Sequence, residues 1–182
     1  MLDKLINLVR QYAGDGIINN NAIPNEKNEA AVETAGSSIM ATLQNALAGG
    51  RIKDVLGFFK SGDPQSESIV QEATSNYAND LQSNIGISES AATAAASQVV
   101  PQTMQQLAQK TVDPSDSSFN IQDIFNNLSG GKTGGMDLQG MLNRFGGGKL
   151  DKDGDGDVDM ADLQSIFAGG GSMMDKVKGL FN

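Results

Sequence analysis

The chain contains no cysteine, no histidine and no tryptophan among its 182 residues. Without cysteine there are no disulfides and no thiolate metal sites, and nothing follows about the redox compartment. Losing histidine as well removes most nucleophile–base pairs, zinc sites and haem ligation, and no enzymatic function is expected. Two tyrosines and seven phenylalanines are the whole aromatic content, so the core must be mainly aliphatic. Long apolar runs are missing too, and no stretch approaches the length of a membrane span. The opening MLDKLINLVRQYAG lacks the apolar run and small-residue cleavage site of a signal peptide. The default expectation is therefore a cytoplasmic location, with export by an unrecognised signal left open. Basic residues are outnumbered, giving a net charge of −9 and a pI near 4.3. Seven Lys/Arg stand against eleven Asp/Glu up to Lys110, and six against eleven after it. With both halves acidic, neither is suited to binding nucleic acid, and no small-molecule substrate is indicated.

What the sequence does contain is the run DKDGDGDVDMAD at Asp151–Asp162. Asp151, Asp153 and Asp155 occupy loop positions one, three and five, Gly156 position six, Val158 eight, Asp159 nine and Asp162 twelve. Alternate residues of a curled loop can aim their oxygens at one hard cation, which takes six to eight of them. Gly156 permits the sharp turn that brings the backbone carbonyl of Asp157 round, Asp159 acts through a water, and Asp162 closes the shell. An acidic turn that merely caps the next helix needs neither a glycine at six nor a carboxylate at twelve. The spacing is that of a twelve-residue EF-hand loop, so the expected ligand is Ca²⁺. Position twelve is Asp where EF-hands usually carry Glu, and the shorter arm weakens affinity or admits Mg²⁺. That residue, and Gly146–Gly147–Gly148 in place of a regular entering helix, resemble dockerin-type and other bacterial single-loop EF-hands.

Ahead of the loop the patterning is helical and strand signals are weak. Leu2, Leu5, Ile6, Val9 and Tyr12 form one helical stripe, which reads as core-facing in preference to membrane-facing because Asp3 and only two basic residues flank it. Gly14–Asp15–Gly16 ends that helix and Asn19–Asn21 continues as loop. Pro24 then opens a second helix to about Ala48, in which Gly36 is a weak point and a plausible bend. Arg51–Lys60 carries Ile52, Val55, Leu56, Phe58 and Phe59, the most hydrophobic patch and the expected core centre. A turn at Ser61–Pro64 leads to a helix over residues 66–84 closed by Gly86. Ser88 caps an Ala-rich helix that Pro101 either kinks or restarts, ending near Lys110. The run GISESAATAAASQVVPQTMQQLAQ resembles the closing helices of the YidB-like bacterial helical family. That resemblance covers residues 40–112 and implies a compact helical domain; it implies nothing about chemistry.

After Thr111 the chain becomes Gly-rich and repetitive. FNIQDIFNNLSGG from Phe119, MDLQGMLNRFGGG from Met136 and VDMADLQSIFAGG from Val158 superpose as three units. In loop register Phe119 matches Val158, Asn120 matches Asp159 and Asp123 matches Asp162. The first unit lacks the front half: Val112 and Pro114 replace oxygen donors, Ser117 replaces the glycine, and Asp116 alone survives at position five. In the second unit Gly140 replaces the last ligand. One functional loop is expected, with the other units forming short N-capped helices on Gly hinges. The last stretch, SMMDKVKGLFN, carries Met173, Met174, Val177, Leu180 and Phe181 on one side, for packing on the loop's exiting helix or, failing that, for a membrane or protein partner. SGGKTGG is not a phosphate loop, since Asn126 stands where the motif's first Gly belongs and no strand precedes it. Asn127–Leu128–Ser129 is a glycosylation triplet with no sign of secretion to give it meaning.

The expected fold is all-α: a helical domain over 1–110, a Gly-rich linker with short helices over 111–148, and the calcium loop with C-terminal helices over 149–182. Two functional readings follow. In one, calcium orders the C-terminal segment for interaction or stability. In the other, the chain is a structural or assembly protein that self-associates through apolar helices, and calcium is only a staple.

Overall fold

The computed structural model describes residues 1–60, 68–113, 115–116 and 118–131. Six α-helices follow in order: α1 Leu2–Tyr12, α2 Asn28–Ala48, α3 Ile52–Lys60, α4 Ser68–Asp80, α5 Glu89–Val112 and α6 Ile121–Leu128. No strand occurs among the described residues, in keeping with the all-α expectation. The turn expected at Ser61–Pro64 lies outside the described residues.

Two long helices, α2 and α5, organise the core. α2 buries Val32, Ile39, Leu43 and Leu47 together with the small residues Ala31, Ala35 and Ala46, because α1, α4 and α3 all pack on it. Gly36 sits inside this unbroken helix, and a Cβ there would come within 2.8 Å of the Ile6 side chain. Its absence of side chain lets α1 approach α2 closely. Pro24 does not begin α2; it stands in extended backbone before a single 3₁₀ turn, Asn25–Lys27.

α5 runs continuously through Pro101, which lies at an intermediate level of exposure. α5 packs on α4, α1 and the Gly14–Ile18 turn, and it buries Ala92, Ala95, Ala96, Val99, Val100, Met104 and Leu107. Ser88 starts it as expected, its Oγ accepting from the Ala91 N–H at 3.4 Å. α4 continues as a wide turn, Leu81–Ile85, that stops at Gly86 with φ +79°. Tyr77 of α4 is fully buried, and its hydroxyl donates to the Ala31 carbonyl at 3.0 Å, so the one polar atom on that ring is satisfied.

Two elements differ from the periodic reading. Leu2 begins the α1 stripe and is 37 % exposed. Gly14–Ile18 is a wide helical turn that buries Ile17, and a Cβ on Gly16 would meet Val99 at 2.4 Å. The core also extends past residue 110. Phe119, Ile121, Ile124, Phe125 and Leu128 belong to the same buried cluster as α1–α5. The Phe125 ring lies 6.1 Å from that of Phe59, which in turn meets Phe58 edge-on at 4.8 Å. No helix among the described residues is long and apolar enough to cross a membrane.

Candidate functional site

Asp151, Asp153, Asp155, Asp157, Asp159 and Asp162, the expected calcium ligands, all lie outside the described residues. The first repeat unit is described, and it shows how the local chemistry works where the front half of a loop is lost. After α5 ends at Val112, Asp113 folds back on its own turn. Its Oδ1 accepts from the Ser115 N–H at 2.8 Å and from the Ser115 hydroxyl at 2.6 Å. Asp116 repeats the device with Ser118, whose N–H donates to its Oδ1 at 2.8 Å and whose hydroxyl bonds the same oxygen. Lys110 reaches back from α5 to the other oxygen of Asp116 at 2.8 Å, and Lys4 of α1 donates to the Ser118 carbonyl at 3.0 Å. Asn120 then caps α6, accepting from the Gln122 N–H at 2.8 Å. Asp123 occupies the first turn of α6, where the helix dipole favours an anion.

The donors around Asp116 hold its carboxyl well below the usual carboxylate range, the Lys110 ammonium first and the Ser118 hydroxyl and N–H next. The same contact raises Lys110, and the Ser115 hydroxyl lowers Asp113. Asp116 is the one loop-register oxygen this unit kept at its front, and it is engaged by protein donors. Among the described residues no group of three or more acidic, histidine or cysteine side chains could hold a metal ion.

The depressed Asp116 carboxyl has a pH consequence. A lowered folded-state value contributes stability that is complete above the unfolded carboxylate value, about 3.9, and is lost as pH falls through the folded value. Asp116→Asn removes that dependence. The stability gap between wild type and variant is expected to be constant from pH 7 to about 5 and to narrow progressively as pH falls below about 4, which urea midpoints from pH 7 down to about 2 will show.

A second polar feature joins α2 to α4. Ser38 Oγ, almost fully buried, lies 2.5 Å from Asp80 Oδ2 and 2.8 Å from the Thr34 carbonyl. Asn76 Nδ2 donates to Thr42 Oγ1 at 3.0 Å one turn further along. A serine–aspartate contact invites an acyl-transfer reading, but that chemistry needs an imidazole or equivalent base between them, and the chain has no histidine. Both bonds tie α2 to α4.

No protein-family model matches the chain, no curated protein matches it, and no solved structure matches it.

Proposed function

We propose that the protein is a non-enzymatic calcium-binding protein in which one Ca²⁺ orders the C-terminal segment. The single observation that carries this reading is the register of Asp151–Asp162: alternate aspartates at positions one, three and five, Gly156 at six, and carboxylates at nine and twelve. Asp151, Asp153, Asp155 and Asp162 supply carboxylate oxygens, Asp157 its backbone carbonyl, and Asp159 an oxygen through water. The donor set is all oxygen, which suits Ca²⁺ and excludes soft metals. The behaviour of the first unit supports the loop's exit: Asn120 caps a helix and Asp123 sits in its first turn, the places that Asp159 and Asp162 hold in register.

Calcium that binds only the ordered segment stabilises it by RT ln(1 + [L]/Kd), about 2.7 kcal/mol at a hundredfold excess over Kd. That is enough to fold a marginal helix pair and present it to the helical body, to a protein partner or to a second copy. Nucleic acid is not the partner of a chain this acidic. Self-association through apolar helices finds little support in the body. The large hydrophobics exposed among the described residues are Leu2, Ile18 and Val112, one each from three places in the chain.

Titration calorimetry of the full chain tests the proposal, with one Ca²⁺ bound per chain as the expected stoichiometry. Two comparable sites would mean that residues 112–123 still bind metal. No heat of binding at millimolar calcium would remove the function.

A further inference from the structure

A polar cleft of about 400 Å³ opens where the end of α1 and the turn Gly14–Ile18 meet α5. The local sequence explains it. Gly16 has no side chain, and a Cβ there would come within 2.4 Å of Val99 and 3.5 Å of the Gln98 Cβ, so the turn lies directly on α5. Gly14 lines the cleft as well, and a Cβ on it would meet nothing within 4 Å, so the turn leaves open space there. Gln98 and Gln102 stand four residues apart on α5, and that spacing sets them one above the other on one helix face. The end of α1 contributes Gln11 and Tyr12, and Tyr12 also packs partly against the core.

This lining is rich in hydrogen-bonding groups and poor in charge. Each of the three glutamine amides offers a carbonyl acceptor and two N–H donors, and the Tyr12 hydroxyl can donate and accept. Among the described residues none of these four side chains has a hydrogen-bond partner within the protein. Asp15 brings the one charge, and its Oδ1 already accepts from Asn19 Nδ2 at 3.1 Å. With no basic residue in the lining, a phosphate or carboxylate ligand would meet no countercharge. No large aliphatic side chain lines the cleft either, so an apolar ligand would gain little cover. Hydroxyl groups match what is there. Each donates and accepts, and a neighbouring pair of them can engage both ends of one amide. The Tyr12 ring offers an apolar surface for the C–H face of a pyranose, beside a hydroxyl that stays wet. The volume lies within the ordinary span of small-ligand sites, roughly 300–1,000 Å³.

We propose that this cleft binds a neutral saccharide of one or two pyranose rings, with Gln98 and Gln102 bonding its hydroxyls and Tyr12 lying against a ring. Gly14 and Gly16 keep the space open and the two glutamines close to the turn. None of the residues involved belongs to Asp151–Asp162, so the site works without calcium.

The test is an NMR titration of the full chain, nitrogen-labelled and with chelator present, against glucose, N-acetylglucosamine, maltose and cellobiose in turn. An open site built on neutral hydrogen bonds is expected to have a Kd on the order of 1 mM, so each sugar is taken to about 50 mM. Saturable shifts are expected with at least one of the four, in the side-chain amide signals of Gln98 and Gln102 and the backbone signals of Gly14 and Gly16. Both glutamines are exposed on a helix, where alanine is well tolerated. Gln98→Ala with Gln102→Ala is therefore expected to weaken binding about tenfold or more at an unchanged melting temperature. Gly14→Leu, which puts a side chain into the open space, is expected to abolish binding, again with the melting temperature kept. Four results overturn the proposal. One is the absence of a saturable shift with all four sugars, or shifts as linear as those given by glycerol. The second is saturable binding that leaves the signals of Gln98 and Gln102 unmoved. The third is undiminished affinity in the folded double variant. The last is tighter binding of inorganic phosphate at the same signals, which would assign the cleft to an anion.

Discussion

Asp151→Ala combined with Asp162→Ala is expected to abolish calcium binding, and Asp123→Ala to leave it intact. In the proposed loop Asp151 stands at position one and Asp162 at position twelve, so the pair would span the coordination shell. Removing both would take two anionic ligands from the proposed site and leave too few oxygens to hold the ion. Asp123 holds the closing position in the first unit, but there Val112 and Pro114 offer no side-chain oxygen and Asp116 is bonded to Lys110 and Ser118. Its work is in the first turn of α6, favoured by the helix dipole by a few tenths to about 1 kcal/mol. Asp123→Ala is therefore expected to lower the melting temperature slightly with the calorimetric isotherm unchanged. The reverse pattern, with the double variant still binding and Asp123→Ala weakened, would place the ion in the other unit.

The second large effect is on stability. Phe125→Ala is expected to cost about 3–5 kcal/mol, the usual range for emptying a fully buried aromatic site. The ring has no exposed area and rests against Phe59, which links α6 to the aromatic pair of α3. A domain of this size has about 5–15 kcal/mol in all, so the variant should unfold at a much lower urea concentration. The same contacts predict that a fragment of residues 1–131 melts cooperatively and that one of residues 1–110 melts lower and more broadly, since it exposes the surface that α6 covers. A loss under about 1 kcal/mol for Phe125→Ala would show that α6 lies on the body without stabilising it.

The helices were legible because their physics is local. The stripes of α3 and α4, the cap at Ser88 and the cap at Asn120 can each be read within a few residues, and the structure places them so. Tertiary needs were harder to read. Gly36 looks like a weak point in a helix, yet its role is set by Ile6, thirty positions away in the chain. Ile17 and Ile23 are buried without any periodic pattern, because a wide turn and a short connection present them to the core. α6 was recognisable as a helix, but its Gly-rich surroundings gave no sign that it completes the core of residues 1–110. In the first repeat unit the usable signal was Asp-x-Ser twice in succession, the spacing of side chains that fold back on their own turns, which explains why Asp113 and Asp116 serve the backbone. The proposed calcium loop is the opposite case: its spacing is explicit in sequence, and its six aspartates lie outside the described residues.

The burial of Tyr77 also decides what light can report about this molecule. With no tryptophan, ultraviolet emission comes from Tyr12 and Tyr77 alone, and both belong to the helical body. Tyr77 is sealed from solvent with its hydroxyl on the Ala31 carbonyl, so its quantum yield and near-ultraviolet dichroism will change when α4 parts from α2. Residues 132–182 contain no tyrosine and have only Phe145, Phe167 and Phe181 as aromatics. Tyrosine fluorescence is thus a probe of the body with no background from residues 132–182, and a calcium-dependent change in it that persists in Tyr12→Phe would mean that the ion's effect has travelled into the α2–α4 interface.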